Sequence, residues 1–132
     1  MTQKTKRSIQ WVATPTKENY AGIHLFGEFW DGKVIENSKE VENLLVEAAK
    51  ISNSTILKTV VHKFKPQGVT GFVLLAESHI SIHTWPEWNL VAIDIFTCGN
   101  KAMPQKAFDY IKEAFQPNYF TIKRLKRGMK KK

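Results

Sequence analysis

The stretch that decides the fold is Gly71–Glu87, which reads GFVLLAESHISIHTWPE. Its apolar first part is typical of a buried strand, so the polar residues that follow are expected at the edge of a packed core. His79, Ser81 and His83 alternate with isoleucines, and an extended chain places these three side chains on one face of a sheet. Ser78 then faces the opposite side unless the backbone turns sharply beside it.

Further strands are predicted around this stretch. Each is a short apolar or β-branched run bounded by turn residues, and together they cover Tyr20–Trp30, Thr55–Phe64, Val69–Glu77, Leu90–Cys98 and Tyr119–Leu125. The connections between Phe64 and Cys98 are tight and hairpin-like. An antiparallel sheet is therefore favoured.

Two segments have helical periodicity. Asn37 or Ser38 caps a helix that runs to about Ile51, because Asn37 is followed three residues later by Glu40, a capping-type pair. Pro104 suits the first turn of a second helix, which ends at Gln116. Each helix has one apolar stripe, so the predicted fold class is α+β, a two-layer sandwich whose antiparallel sheet is covered by helices on one face. The uncovered face predicts a partner subunit, and we expect a dimer.

Length and composition predict one domain. The chain has 132 residues, of which 42% are apolar. We expect the domain to cover 20–126, between a loose N-terminal arm at 1–19 and a basic tail at 127–132. No apolar stretch approaches the roughly 20 residues of a membrane span, and no signal peptide is recognisable. A soluble, cytoplasmic protein is expected, and the single cysteine, Cys98, fits a reducing compartment.

The formal net charge of +8 is concentrated near the C-terminus. Seven cations fall within the last ten residues, namely Lys123, Arg124, Lys126, Arg127, Lys130, Lys131 and Lys132. A basic terminal run is most often a solvated tail, and no clear interleaving with aromatic residues marks a nucleic-acid site. Nucleic acid is therefore not expected as a partner.

The polar residues of the central stretch have two generic interpretations. His79 and His83 have the spacing of a metal-binding pair, but the stretch is extended, and Cys98 is the only plausible third ligand nearby. A serine hydrolase is also disfavoured, because no Gly-x-Ser-x-Gly turn surrounds Ser78 and no orienting acid is identified. We predict no metal.

Two longer runs carry a family resemblance. Phe64–Glu87, FKPQGVTGFVLLAESHISIHTWPE, and Ala92–Gly99, AIDIFTCG, closely resemble the short prokaryotic S-adenosylmethionine decarboxylase proenzymes. The resemblance covers roughly Gly22 to Gly99 and continues more loosely towards the C-terminus. Members of this family are self-cleaving, pyruvoyl-dependent enzymes that supply the aminopropyl donor for spermidine synthesis. The resemblance implies that activity here, in a homodimer whose active sites draw on both subunits.

The resemblance implies self-cleavage between Glu77 and Ser78. The Ser78 hydroxyl would attack the preceding carbonyl to form an ester, and elimination would leave Glu77 as a new C-terminus. Hydrolysis of the resulting dehydroalanine would release ammonia and leave the pyruvoyl cofactor at residue 78. His83 corresponds to the family's processing base. Thr70 corresponds to a hydroxyl that assists processing and is normally a serine, so maturation here is expected to differ mildly in rate.

The resemblance also implies how the cleaved enzyme works. The amine of S-adenosylmethionine would form a Schiff base with the pyruvoyl carbonyl, which accepts the electrons released when carbon dioxide leaves. Cys98 corresponds to the family's proton donor. Phe64 matches an aromatic platform for the substrate, Trp85 is a nearby candidate, and Glu87 matches a carboxylate that can bind ribose hydroxyls. His79 is given no role beyond structure.

Two alternatives stay open at the level of sequence. The first is the same chemistry on arginine or ornithine, because the cleavage machinery says little about which side chain is bound. The second belongs to another class of protein, an uncleaved binding module that holds a polyanion through its basic tail. Carbon dioxide release from each substrate separates the first alternative from the prediction, and an intact chain mass would favour the second.

Overall fold

A computed structural model of the protein describes residues 20–129, which form six strands and two α-helices. In chain order these are β1 (Gly22–Trp30), α1 (Ser38–Ile51), β2 (Ile56–Lys63), β3 (Val69–Leu75), β4 (Ser78–Trp85), β5 (Leu90–Cys98), α2 (Pro104–Phe115) and β6 (Tyr119–Arg127). A short 3-10 turn, Pro86–Trp88, joins β4 to β5. The predicted N-terminal arm, at 1–19, lies outside the described residues.

The six strands form one sheet in the order β2-β3-β4-β5-β1-β6, and every neighbouring pair is antiparallel. The central stretch of the sequence forms the hairpin of β3 and β4, in which Leu75 pairs with Ser78. Strand β3 therefore ends at Leu75 rather than at Glu77, because Ala76 and Glu77 form the turn. This hairpin lies at the centre of the sheet, so its residues are fixed by neighbours on both sides.

Both helices pack on the same face of the sheet. Helix α1 covers β2 and β3, whereas α2 covers β1 and β5. The start of α1 is capped as predicted, because the Asn37 Oδ1 accepts a hydrogen bond of 2.9 Å from the Glu40 amide. Fully buried side chains between the layers include Leu45, Ile80, Ile95, Phe108 and Ile111. The predicted α+β sandwich is confirmed.

The opposite face, which we call the open face, is not covered by either helix. Alternating side chains of the central strands lie on it, among them His24, Phe26, Phe72, His79, Ser81, His83, Asp94, Phe96 and Cys98. Phe72 and Leu74 on β3 are 38% and 42% exposed. The prediction that His79, Ser81 and His83 share a face is confirmed by the burial pattern of β4.

The basic C-terminal run is more ordered than the sequence indicated. Strand β6 extends to Arg127 and pairs with β1 along its whole length, so Arg127 belongs to an edge strand rather than to the predicted tail. Its guanidinium lies 4.8 Å from the centre of the Phe96 ring, and its carbonyl accepts a hydrogen bond from the Ala21 amide. Residues 130–132 of the predicted tail lie outside the described residues. Between residues 20 and 129, neither helix is long and apolar enough to cross a membrane.

Candidate active site

Ser78 lies at the point where the hairpin turn enters β4, and its backbone is strained. Its φ is +140°, a value that residues with a side chain rarely adopt. Such a conformation costs on the order of 1–3 kcal/mol and persists only where the surroundings enforce it. The backbone therefore departs from regular strand geometry at Ser78.

The peptide bond between Glu77 and Ser78 is held from several directions. The Glu77 carbonyl accepts a 2.8 Å hydrogen bond from the backbone amide of Cys98. The Glu77 side chain is only 6% exposed, and its carboxylate oxygens accept hydrogen bonds from the amide and the hydroxyl of Thr55 at 2.9 and 3.0 Å. An amide aimed at a carbonyl oxygen stabilises the negative charge that develops there during nucleophilic attack.

The Cys98 side chain lies beside Ser78, close enough for the Ser78 hydroxyl to influence the pKa of its thiol. Burial raises the pKa of the Cys98 thiol, the Ser78 hydroxyl lowers it, and the negative charge of Glu77 raises it again. The pKa stays above its ordinary value. The thiol is therefore protonated at neutral pH, which is the form that a proton donor needs.

His83 and Thr70 form a second group. They face each other across β3 and β4, and the Thr70 hydroxyl and His83 Nδ1 share a 3.0 Å hydrogen bond. The His83 ring also lies 6.1 Å from the ring of Trp85. The structure thus joins the predicted base to the predicted assisting hydroxyl.

The three predicted substrate-binding residues lie at the same end of β4 as His83. Phe64, 47% exposed, follows β2, and its ring meets that of His62 edge-on at 4.6 Å. Trp85 stacks on Trp88. The Glu87 carboxylate accepts a 3.2 Å hydrogen bond from the Gln67 side chain, which lies on the turn after Phe64. We call Thr70, His83, Phe64, Trp85 and Glu87 the base half-site.

The base half-site does not reach Ser78 within one chain. His83 is five residue steps along the strand from Ser78, which corresponds to ~16 Å at ~3.3 Å per step. Glu77, Ser78 and Cys98 therefore form a separate cleavage half-site at the other end of β4. The separation follows from the extended conformation of β4, which takes residues that are close in sequence far apart in space.

One polar cluster on the open face was missed by the sequence interpretation. Asp94 accepts hydrogen bonds from His24 Nε2 at 2.6 Å and from His79 Nε2 at 2.7 Å, and the Arg127 guanidinium lies 3.3 Å from His24 Nδ1. Burial raises the pKa of Asp94, but the hydrogen bonds and charges of both histidines lower it by more. The net pKa of Asp94 is below its ordinary value. Only the pairing of β1, β4 and β5 brings His24, His79 and Asp94 together, so no local pattern could have revealed the cluster.

The two histidines with the spacing of a metal-binding pair, His79 and His83, bind different partners. His79 binds Asp94, whereas His83 binds Thr70. Within residues 20–129 the structure contains no group of three histidine, cysteine or acidic side chains arranged to hold a metal ion.

A strained serine that follows a buried glutamate and adjoins a protonated thiol is the arrangement expected of a self-processing enzyme precursor. Residues 23–128 match the family model described as S-adenosylmethionine decarboxylase, and the chain belongs to that family.

Curated relatives carry the same description. The S-adenosylmethionine decarboxylase proenzyme of Pyrococcus furiosus is 46% identical over 99 residues, which is 75% of this chain and 71% of the relative. The proenzyme of Methanococcus aeolicus is 45% identical over 111 residues, or 83% of this chain and 95% of the relative. The proenzyme of the bacterium Acetivibrio thermocellus is 39% identical over 113 residues, or 84% and 91%.

A solved structure agrees with the fold. The crystal structure of adenosylmethionine decarboxylase from Aquifex aeolicus superimposes with a TM-score of 0.79 at 35% sequence identity, covering 85% of this chain and 94% of that chain. The family, the enzyme class and the fold predicted from the sequence are confirmed by these comparisons.

Proposed function

We propose that this family member cuts its own backbone between Glu77 and Ser78 and then decarboxylates S-adenosylmethionine with a pyruvoyl group made from Ser78. The observation that carries the proposal is the backbone conformation and hydrogen bonding around this peptide bond. Ser78 is held at a φ of +140°, and the carbonyl that its hydroxyl would attack already accepts a hydrogen bond from the Cys98 amide.

Cleavage begins with addition of Ser78 Oγ to the Glu77 carbonyl carbon. The carbon–nitrogen bond breaks, the nitrogen takes a proton, and an ester joins Glu77 to the Ser78 side chain. Loss of the Cα proton of residue 78 then breaks the ester bond at Cβ. The main-chain carboxylate of Glu77 leaves as a new C-terminus, and residue 78 becomes dehydroalanine. Its imine tautomer takes up water and releases ammonia. The Cys98 amide stabilises the oxyanion formed in the first step.

We propose that the base for cleavage comes from a second copy of the chain. His83 lies ~16 Å from Ser78 along β4, too far to accept its proton. Two copies packed through their open faces about a two-fold axis would set Ser78 of each against the base half-site of the other. The contact would also bury the exposed apolar side chains of β3, such as Phe72 and Leu74. Each homodimer then has two sites at its interface.

The side chains of both half-sites take part in decarboxylation. The pyruvoyl carbonyl supplies the electron sink. Cys98, protonated because its pKa is raised, holds a proton beside residue 78 for the carbon that loses carbon dioxide. Phe64 and Trp85 offer aromatic faces to an adenine and a sulfonium cation, and Glu87 offers a carboxylate to ribose hydroxyls. A thiol that must stay reduced suits the cytoplasm, which we propose as the compartment.

Intact-mass spectrometry of the purified protein tests the proposal. We expect two fragments divided between residues 77 and 78, the second carrying a pyruvoyl group, and one uncut chain for Ser78→Ala. Carbon dioxide release should be fastest from S-adenosylmethionine. An uncut wild-type chain would contradict self-cleavage, whereas release from arginine or ornithine alone would contradict only the substrate.

A further inference from the structure

The turn before Ser78 is unusual for a hairpin of its length. A two-residue turn normally places positive φ values on its own residues, which are then glycine or asparagine. Here the turn is Ala76 and Glu77, neither of which has a positive φ, and the positive value falls on Ser78. Nothing in the local sequence favours this geometry, so another part of the chain must hold it.

Thr55, in the connection between α1 and β2, makes three hydrogen bonds to the turn. Its carbonyl accepts a 2.9 Å bond from the Ala76 amide. Its own amide and hydroxyl donate to the two carboxylate oxygens of Glu77, at 2.9 and 3.0 Å. A buried carboxylate needs such partners, because losing its hydration is unfavourable. Thr55 therefore binds both turn residues at once.

The hydrogen bonds from Thr55 and from the Cys98 amide are both made to Glu77. Thr55 holds the Glu77 side chain, and the Cys98 amide holds the Glu77 carbonyl. With both ends of Glu77 held, the plane of the Glu77–Ser78 peptide cannot rotate freely. Ser78 cannot relax to a negative φ without disturbing one of these bonds.

We propose that Thr55 is a positioning residue for self-cleavage. It touches none of the reacting atoms, and it keeps Ser78 strained with the Glu77 carbonyl in reach of the Ser78 hydroxyl. Breaking the carbon–nitrogen bond frees the backbone of residue 78, so the strain is released in the acyl shift and not in the later elimination. This inference rests on the proposed cleavage at Ser78.

The test compares Thr55→Val, which loses the hydroxyl and keeps the backbone amide, with Thr55→Ser, which keeps both. Thr59→Val on β2 is the matched control. Freshly synthesised precursor is followed over time by intact mass. We expect Thr55→Val to cleave about tenfold more slowly, the scale of one lost hydrogen bond to a charged group. Thr55→Ser and Thr59→Val should keep the wild-type rate. Removal of one partner of the buried Glu77 carboxylate should lower the melting temperature somewhat, and a thermal melt checks that Thr55→Val stays folded at the assay temperature.

Hydroxylamine separates the two steps, because it cuts an accumulated ester. We expect it to leave the slow cleavage of Thr55→Val unchanged, since the acyl shift is the step affected. The role of Thr55 would be overturned if Thr55→Val cleaved at the wild-type rate, or if Thr59→Val cleaved as slowly as Thr55→Val. It would also be overturned if hydroxylamine accelerated the cleavage of Thr55→Val. An uncut wild-type chain would instead overturn the proposed function on which it rests.

Discussion

Among single residues, Cys98 has two separable roles in the proposed chemistry. Its backbone amide holds the Glu77 carbonyl, and its thiol lies beside Ser78. Substitution of the side chain leaves the amide in place. The two roles can therefore be distinguished by experiment, because cleavage would depend on the backbone and decarboxylation on the thiol.

Cys98→Ser should self-cleave within a few fold of the wild-type rate and lose about 10²-fold in kcat, the usual scale for a general acid. Cleavage is measured by intact mass, and kcat is measured per mole of cleaved chain. Cys98→Ala should behave similarly in cleavage. Failure of both variants to cleave would contradict the division between amide and thiol.

The raised pKa of the Cys98 thiol also predicts a pH dependence. A proton donor is active below its pKa and loses activity as pH rises through it. The ordinary value for this thiol is 9.0, and burial raises the pKa of Cys98 above it. The kcat of the wild-type enzyme should therefore show no loss from thiol ionisation through neutral pH and fall only above about pH 9. A fall near pH 7 that is absent in Cys98→Ser would contradict this assignment.

Asp94 should affect stability at acid pH. Its pKa is lowered, so its contribution is present above the ordinary carboxyl value of 3.8 and is lost as pH falls through the lowered pKa. The side chain is 34% exposed, so water screens the interaction and the contribution is about 1 kcal/mol or less. The difference in unfolding midpoint between wild type and Asp94→Asn, measured in urea, should shrink as pH falls below about 4. A constant difference would contradict the linkage.

Among the secondary-structure elements, the contact of α1 with β3 depends on a missing side chain. A Cβ at Gly71 would lie 2.5 Å from Leu45 Cδ1 and 3.2 Å from Ile82 Cγ2. Glycine thus lets the helix approach the hairpin that carries Ser78. The strand pattern alone treats this glycine as a weak point, whereas in the structure it allows close packing.

Gly71→Ala should therefore destabilise the fold by about 1–3 kcal/mol, the cost of overpacking a core. Urea unfolding, followed by circular dichroism on the uncleaved Ser78→Ala background, measures this change. On this background every sample is an uncut chain, so the unfolding midpoints can be compared directly. An unchanged midpoint would mean that α1 moves away without loss.

For the whole molecule, the distance between the two half-sites predicts that they complement each other between subunits. Co-expressed Ser78→Ala and His83→Ala chains should form mixed dimers. In these, Ser78 of the His83→Ala chain faces His83 of the partner subunit. Random pairing would put about half of the His83→Ala chains in such dimers, and these chains should be cut.

Each variant expressed alone provides the control. Ser78→Ala has no attacking hydroxyl, and His83→Ala has no base on either subunit, so both should stay uncut or nearly so by intact mass. Efficient cleavage of His83→Ala alone would show that His83 is dispensable. If the mixture contained no more cut His83→Ala chain than His83→Ala expressed alone, a site shared between subunits would be contradicted.

The amino-acid sequence by itself determined the strands, the two helices and their one-sided layering, because periodicity and capping are local properties. Its two runs Phe64–Glu87 and Ala92–Gly99 also led to the correct family. Only the tertiary structure decided that Thr55 and the Cys98 amide bind Glu77, and that His24 and His79 share Asp94. These relations depend on strand register and on contacts between residues distant in the chain, which no local pattern encodes. The strain at Ser78 has the same origin, because residues elsewhere in the fold hold it in place.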